Sequence, residues 1–351
     1  MKKEFDLLVF IGRFQPFHRE HKRVIDTALA KAENVLVLIG SAGAARTVRN
    51  PFTYAERKSM IFNTYDDGNP AVDRLYFAPL YDKMYNDTAW IEQVQETVRN
   101  NALDILNHKG FRLHGLSDFR IGLIGGSKDK TSYYLNMFPQ WGSVDVPIHN
   151  PIHATDVRKQ FFNNTLNARE LIPLATADFM FSFQKTWLFD HLAAELEHVE
   201  KYKKAWEVAP YPVKHVTVDA VVEQSGHVLL VKRKAAPGKG LWAIPGGHLE
   251  MDETMLDGAI RELREETKLK VPEPVLKGNI VRQHIFDNPH RSQIGRVITN
   301  AFHIKLPNGE LPKVKGMDDA EKAKWVPICD VKEDMLFDDH YHIIHYFLGV
   351  Y

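Results

Sequence analysis

Two histidines three positions apart, His18 and His21, follow Arg13 within the stretch GRFQPFHREH that begins at Gly12. Imidazoles can donate hydrogen bonds to phosphate oxygens as charge builds there, and a guanidinium is a permanently charged donor fork suited to the same oxygens. Far along the chain, Glu262, Glu265 and Glu266 are spaced by three and four, so a helix would carry all three carboxylates on one face. Carboxylates crowded in that way repel each other, and a bound divalent cation of the hard, oxygen-seeking kind, Mg²⁺ or Mn²⁺, is the plain way to offset the repulsion. The chain therefore carries two sets of residues suited to phosphate chemistry, one cationic and one acidic. A second pair, His342 and His345, repeats the spacing of the first without its surroundings and reads as part of an ordinary C-terminal helix.

The first set needs a strand and a helix to hold it. DLLVFI, just before Gly12, is an apolar run of strand type, and EHKRVIDTALAKA just after it has helical spacing. Gly12 would let a ligand approach the backbone, Pro16 would stiffen the turn, and the following helix start offers N–H groups and a positive dipole end to an anion. NVLVLIGSA, RLYFAPL and FRIGLIGGS are further short apolar runs, of the kind found in strands buried on both faces. Helical patterns lie between them, and one opens at Thr53 and Glu56 with the spacing of a capping box. This alternation predicts an α/β Rossmann-like, doubly wound parallel sheet.

From about Asp178 to Trp206 the pattern is one long helical stretch, stopped by Pro210 and Pro212. HVTVDAVVEQSGHVLLVKRK then reads as a hairpin turned at Ser225 and Gly226, followed by a Gly-Pro-rich loop, one charged helix and strands such as RVITNAFHIKL. The expected organisation is a first domain over 1–177, a helical linker over 178–212 and an α+β domain over 213–351.

In the 351 residues, 45 Lys and Arg balance 45 Asp and Glu, so no global field draws in nucleic acid or an anionic membrane. Phosphate binding must then be local. The single cysteine excludes a disulfide framework and fits a reducing compartment. The apolar run near the start is broken early by Asp6 and closed by Arg13, too short for a signal peptide, and no run approaches the roughly 20 residues that span a bilayer. The expectation is a soluble, cytoplasmic, enzyme-sized protein with small-molecule partners, no nucleic acid and no membrane; a homo-oligomer is left open.

GRFQPFHREH resembles the signature of a nucleotidyltransferase superfamily, with Glu20 where glycine is usual, and HATDVRK resembles its second signature. The stretches from Ile39 to Arg57 and from Pro79 to Trp90 are similar to the archaeal-type nicotinamide mononucleotide adenylyltransferases. The resemblance implies that Gly12, Phe14, Ser41, Arg49, Asp82, Trp90 and Thr155 line a site for ATP and the mononucleotide, with Thr155 capping a helix and Arg158 reaching the phosphates. It also implies attack of the mononucleotide 5′-phosphate on the ATP α-phosphorus, giving NAD and pyrophosphate, with Arg13, His18, His21 and Arg158 as the catalytic groups and Mg²⁺ on the phosphates. Physically, Arg49 can pair with a phosphate; Trp90 either stacks on a cationic pyridinium ring or is a core aromatic.

In the second half, Gly247, Glu253, Arg261, Glu262, Leu263, Glu265, Glu266 and Leu269 fall in register on a sequence that resembles the Nudix box, with Lys268 where its last glycine belongs. The resemblance implies metal binding by Glu262, Glu265 and Glu266, with Glu250 as a further ligand, catalytic roles for Glu262 and Glu266, and an Arg261 that orients carboxylates. HIFDNPHRSQIGRVITNAFHIKL is similar to ADP-ribose pyrophosphatases and related ADP-ribose sensors, so Arg291 and Arg296 are ADP-ribose contacts or solvated arginines beside a strand. Taken together, the resemblances imply a bifunctional enzyme of NAD metabolism that also hydrolyses ADP-ribose to AMP and ribose 5-phosphate. The alternatives are a second domain that senses ADP-ribose without cutting it and a first domain with another acceptor. Amide or acid mononucleotide preference is not legible.

Overall fold

The computed structural model describes residues 3–66, 70–108, 118–126, 137–147, 152–316 and 319–349. The chain divides into two compact units, Met1–Ala193 and Ala194–Tyr351.

In the first unit the order is β1 (Phe5–Gly12), α1 (Arg19–Lys31), β2 (Ala32–Ile39), α2 (Tyr54–Tyr65), β3 (Leu75–Pro79), α3 (Asp87–His108), β4 (Ile121–Gly126) and β5 (Gly142–Val146). The strands form a parallel sheet in the order β3-β2-β1-β4-β5. The chain winds outward from β1 to β3 and then crosses back to place β4 on the other side of β1. Such a reversal leaves a crevice beyond the C-terminal ends of β1 and β4, where ligands of open α/β sheets bind. Gly12 ends β1 there. The apolar runs become strands because both faces are covered: Leu7, Val9, Leu36 and Leu38 are fully buried with Val94, Val98 and Ile105 from α3. Each such side chain contributes about 1.5–3 kcal/mol of burial. The capping box at Thr53 and Glu56 is present in both directions and starts α2.

The first unit continues through α4 (Ala154–Phe162), α5 (Ala168–Leu171) and α6 (Leu174–Phe183), and α7 (Trp187–Ala205) crosses the division between the units. The expected helical stretch over 178–212 is therefore two helices, broken at 184–186. Phe183 of α6 packs edge-on against Phe52, with ring centroids 5.2 Å apart, and Phe189 of α7 packs on Phe161 at 5.1 Å. These aromatics are what the linear pattern could not assign, since a buried helix and a linker helix share one periodicity. In the middle of α7, Glu195 accepts hydrogen bonds from the backbone N–H of Gly238 (2.6 Å) and Lys239 (3.3 Å).

The second unit contains β6 (Lys214–Gln224), β7 (His227–Arg233), β8 (Trp242–Ala243), β9 (Gly246–His248), α8 (Met255–Thr267), α9 (Glu273–Gly278), β10 (Ile280–Phe286), β11 (Arg296–Lys305), β12 (Ala320–Pro327) and α10 (His340–Leu348). Its mixed sheet runs β10-β11-β6-β7-β12, with β6 and β11 parallel; β8 pairs with β7 and β9 with β6. Ser225 and Gly226, both at positive φ (47° and 72°), make the two-residue hairpin turn between β6 and β7. Ala259 and Leu263 of α8 are buried against this sheet, whereas Met255 is exposed. His342 lies buried on α10, the plain C-terminal helix expected of that histidine pair.

Lys268 ends α8 in the left-handed conformation, φ 51°, with its N–H on the Arg264 carbonyl (3.0 Å). A Cβ at this backbone costs about 1 kcal/mol that glycine avoids. Lys268→Gly is therefore expected to raise the thermal midpoint of the second unit by about 2–4 °C in differential scanning calorimetry; a lowered midpoint would mean that the lysine side chain holds the turn.

Candidate active sites

At the C-terminal end of β1, the two histidines build the helix start they were expected to decorate. His18 is the N-cap of α1; its Nδ1 accepts the His21 N–H and the His21 Nδ1 accepts the His18 N–H, both at 3.4 Å. With each Nδ1 used as an acceptor, each neutral ring carries its proton on Nε2, where it can be donated. The rings stack with centroids 3.5 Å apart, and Phe14 (4.8 Å, edge-on) and Phe17 (6.0 Å, stacked) wall His21 on its other sides. Two imidazoles are thus held rigidly at a positive helix end.

A Cβ at Gly12 would lie 2.8 Å from the Phe14 ring, so the glycine makes room for Phe14. Phe14, at 1% exposure, packs edge-on against the His21 ring. Glu20, at the usual glycine position, is inside α1 and pairs with Arg23 at 3.0 Å. A helical backbone there accepts a side chain, which is why the departure from the signature leaves the loop intact.

Thr155 does not cap α4. His153 is the N-cap, and Thr155 sits within the first turn, where its hydroxyl accepts a hydrogen bond from Arg158 Nη2 (3.2 Å). Arg158 Nη1 donates to the Gln15 carbonyl at 2.6 Å, which brings α4 to the signature loop. Gln15 in turn exchanges two hydrogen bonds with the backbone of Phe52 (2.7 and 3.1 Å). Beneath them lies Arg57, fully buried, donating to the carbonyls of Arg13 (2.6 Å), Gly40 (2.6 Å), Ser41 (3.1 Å) and Thr53 (3.1 Å). The ends of β1 and β2 and the start of α2 are thereby tied to one guanidinium. Ser41 is held at φ 49° by this contact.

The charges converge here. Arg158 is pushed down to about 10 by burial, then by Arg13 and Arg49, while Arg57 falls to about 10 through burial against the opposing charge of Asp82. Arg13 is exposed at its surface, yet withdrawal into the protein and then Arg49 lower its pKa, with Asp82 opposing. All three remain cationic at neutral pH. Arg13, Arg49 and Arg158 repel one another, so this end of β1 favours a bound anion. Trp90, in the first turn of α3, is partly buried against the core, 6.2 Å from Phe138.

The acidic set lies on α8. Arg261 donates to Glu253 (Nη2–Oε1 2.7 Å, Nε–Oε2 2.9 Å), to Glu262 (2.9 Å) and to Glu265 (3.1 Å), so one guanidinium gathers three carboxylates. Its pKa is raised, chiefly by Glu253. Two glycines are required by close approach: a Cβ at Gly247 would meet Glu262 Oε1 at 2.3 Å, and one at Gly258 would meet Glu253 Oε1 at 2.7 Å. Leu263 is the buried anchor of the helix, and Glu250 is exposed in the preceding loop.

Glu266, 8% exposed, accepts the Gly246 N–H at 3.1 Å. Burial, then Glu262 and Asp219, push it up to about 8 against the pull of that N–H and of Arg233, and burial likewise raises Glu262. Among the described residues no three acids or imidazoles are drawn together in a metal-binding arrangement; Arg261 lies between Glu262 and Glu265 instead. The donor set nevertheless fits a divalent cation: hard carboxylate oxygens, one of them held protonated chiefly by burial, are what such an ion stabilises.

Arg291, expected at the ligand, is committed elsewhere. It makes a buried two-bond pair with Asp339 (2.9 Å each), which pins the loop after β10 to the start of α10, and removing one partner would strand a buried charge. Arg296 stays half-exposed at the start of β11, beside Asp287. Residues the sequence reading did not single out are Gln15, Arg57, Asp219 and Arg233. Only Arg57 left a signal: it shares the buried stripe of α2 with Met60, Ile61 and Tyr65.

Two family models match the chain, Cytidylyltransferase-like over residues 9–160 and NUDIX domain over residues 213–347. A nicotinamide/nicotinic acid mononucleotide adenylyltransferase of Acinetobacter baylyi is 35% identical over 190 residues, 54% of this chain and 92% of the relative. An ADP-ribose pyrophosphatase of Methanocaldococcus jannaschii is 36% identical over 129 residues, 37% of this chain and 70% of that protein. The crystal structure of a bifunctional NMN adenylyltransferase/ADP ribose pyrophosphatase from Francisella tularensis, complexed with AMP and a manganese ion, superposes with a TM-score of 0.88 at 34% identity, covering 98% of this chain and 99% of that one.

Two outcomes follow from the geometry. Arg57→Met leaves four carbonyls without their donor and is expected to destabilise the first unit by at least about 3 kcal/mol in urea unfolding, an unchanged midpoint being the contrary result. Glu266 has a folded pKa above its ordinary 4.5, so in chelator-treated protein its contribution to stability declines as pH rises from 4.5 through about 8. Mn²⁺ added at pH 8 should then raise the melting temperature, and Glu266→Gln should abolish most of that gain.

Proposed function

The chain belongs to the family of fused nicotinamide mononucleotide adenylyltransferase and Nudix ADP-ribose pyrophosphatase proteins, and from that membership we propose that it makes NAD in its first unit and hydrolyses ADP-ribose in its second. The observation that carries the first half is the convergence of Arg13, Arg49 and Arg158 on the end of β1, where the paired imidazoles present their Nε2–H groups. ATP binds with its phosphates on these cations. The mononucleotide 5′-phosphate, already anionic, attacks the α-phosphorus, so no protein nucleophile is needed. Positioning and neutralisation of the charge that shifts onto the departing pyrophosphate are the work of His18, His21 and the arginines. Trp90, partly exposed at the start of α3, offers its indole to the pyridinium ring.

For the second unit, the complete set of box carboxylates favours hydrolysis over binding alone. Glu262, Glu265 and Glu266 would hold the cation, with Glu250 of the preceding loop as a further ligand, and Arg261, bonded to Glu262 and Glu265, would set the carboxylates' orientation. When bound, a divalent ion supplies charge neutralisation on the diphosphate and a water of lowered pKa. Gly246 holds Glu266 in place through its N–H, and the buried setting keeps that carboxylate basic enough to take a proton. Arg296 would meet substrate oxygens from the start of β11. The products are AMP and ribose 5-phosphate.

Paired substitutions test the assignment. His21→Ala should lower NAD synthesis by at least 10²-fold and leave ADP-ribose hydrolysis intact, and Glu266→Gln should do the reverse. Loss of both activities in either variant would contradict two separate sites.

A further inference from the structure

At the edge of the second site lies an aromatic cluster that the chemistry described so far does not use. Tyr202, in the last turn of α7, and Trp206, just past the end of that helix, flank His215 at the start of β6, with ring centroids 5.6 and 5.5 Å away. His248, at the end of β9, meets the same imidazole edge-on at 5.8 Å, and the Tyr202 hydroxyl lies 3.5 Å from His215 Nδ1. His215 is buried, yet Trp206 is 46% exposed and His248 is exposed, so a buried ring supports two rings that face solvent.

Rings of this kind usually bury themselves. A tryptophan left half-exposed on a scaffold of imidazoles keeps a π-face available for stacking. Burial, then His248, lowers the His215 pKa, which keeps that imidazole uncharged at neutral pH and suited to a neutral ligand ring. The place of the cluster is set by the acidic site: the His248 carbonyl accepts a hydrogen bond from Arg261 Nη2 (3.3 Å), and the adjacent Gly247 lies directly against the Glu262 carboxylate. A ligand whose diphosphate is held at the carboxylates would thus carry its neighbouring nucleoside toward these rings.

We propose that Tyr202, Trp206, His215 and His248 form a base-stacking subsite that seats the purine of a nucleoside diphosphate substrate, with Trp206 as the stacking face. The proposal rests on the hydrolase reading of the second unit and extends it: the helix that joins the two units then supplies part of the substrate specificity. A flat heteroaromatic base gains from the indole by stacking, irrespective of hydrogen-bond pattern, so purine nucleotides are preferred over a sugar diphosphate that lacks a base.

The test is steady-state hydrolysis of ADP-ribose by the full chain and its Trp206→Ala and Trp206→Phe variants, with NAD synthesis as the control for folding. Trp206→Ala should raise KM about tenfold or more with kcat nearly unchanged, and Trp206→Phe should restore most of the loss. An unchanged KM in Trp206→Ala, or a loss confined to kcat, overturns the subsite. If the unaltered protein leaves ADP-ribose intact, the hydrolase reading fails by itself, and calorimetric titration with AMP decides the subsite: weaker binding by Trp206→Ala upholds it, and equal binding removes it.

Discussion

A single buried guanidinium holds the first unit's site together. Arg57 spends its donors on four carbonyls from three different segments, and those segments carry Arg13, Ser41 and the start of α2. Carbonyls at strand ends are the acceptors a parallel sheet leaves over, and an arginine buried among them satisfies them all while adding one positive charge beneath an anion site. The cost of burying that charge is offset by these four hydrogen bonds. The histidine pair depends on this frame, because Arg13 and Gln15 precede it in the same loop and Arg158 reaches it through the Gln15 carbonyl.

The second unit uses the same device with opposite charges. Arg261 gathers Glu253, Glu262 and Glu265, and it leaves Glu266 as the buried acid whose pKa burial raises despite the pull of Arg233. One site is a set of cations short of an anion, and the other is a set of anions short of a cation. Each is strained electrostatically in a way that its proposed ligand relieves, which ties the fold's local costs to what the protein binds.

Much of this was legible in the chain. Strands flanked by helices on both faces must be apolar throughout, so DLLVFI and NVLVLI could be placed, and the Ser225-Gly226 turn followed from the need for positive φ at both positions. The carboxylates of α8 were legible because helical spacing fixes which residues share a face. What escaped was long-range: Arg291 reads as a ligand contact until Asp339, 48 residues away, is seen to claim it. Gly12 and Phe14 escaped for a similar reason, since only the folded loop turns the Phe14 ring back over the glycine. The helical stretch after Asp178 shows periodicity, and periodicity alone does not tell whether a helix spans space or fills a core.

The most direct measurement is chromatographic product analysis of the unaltered protein with Mg²⁺, given ATP and nicotinamide mononucleotide in one reaction and ADP-ribose alone in another. NAD with pyrophosphate in the first and AMP with ribose 5-phosphate in the second is the predicted result. NAD accompanied by intact ADP-ribose, or no NAD at all, would contradict the account of two catalytic sites in one chain.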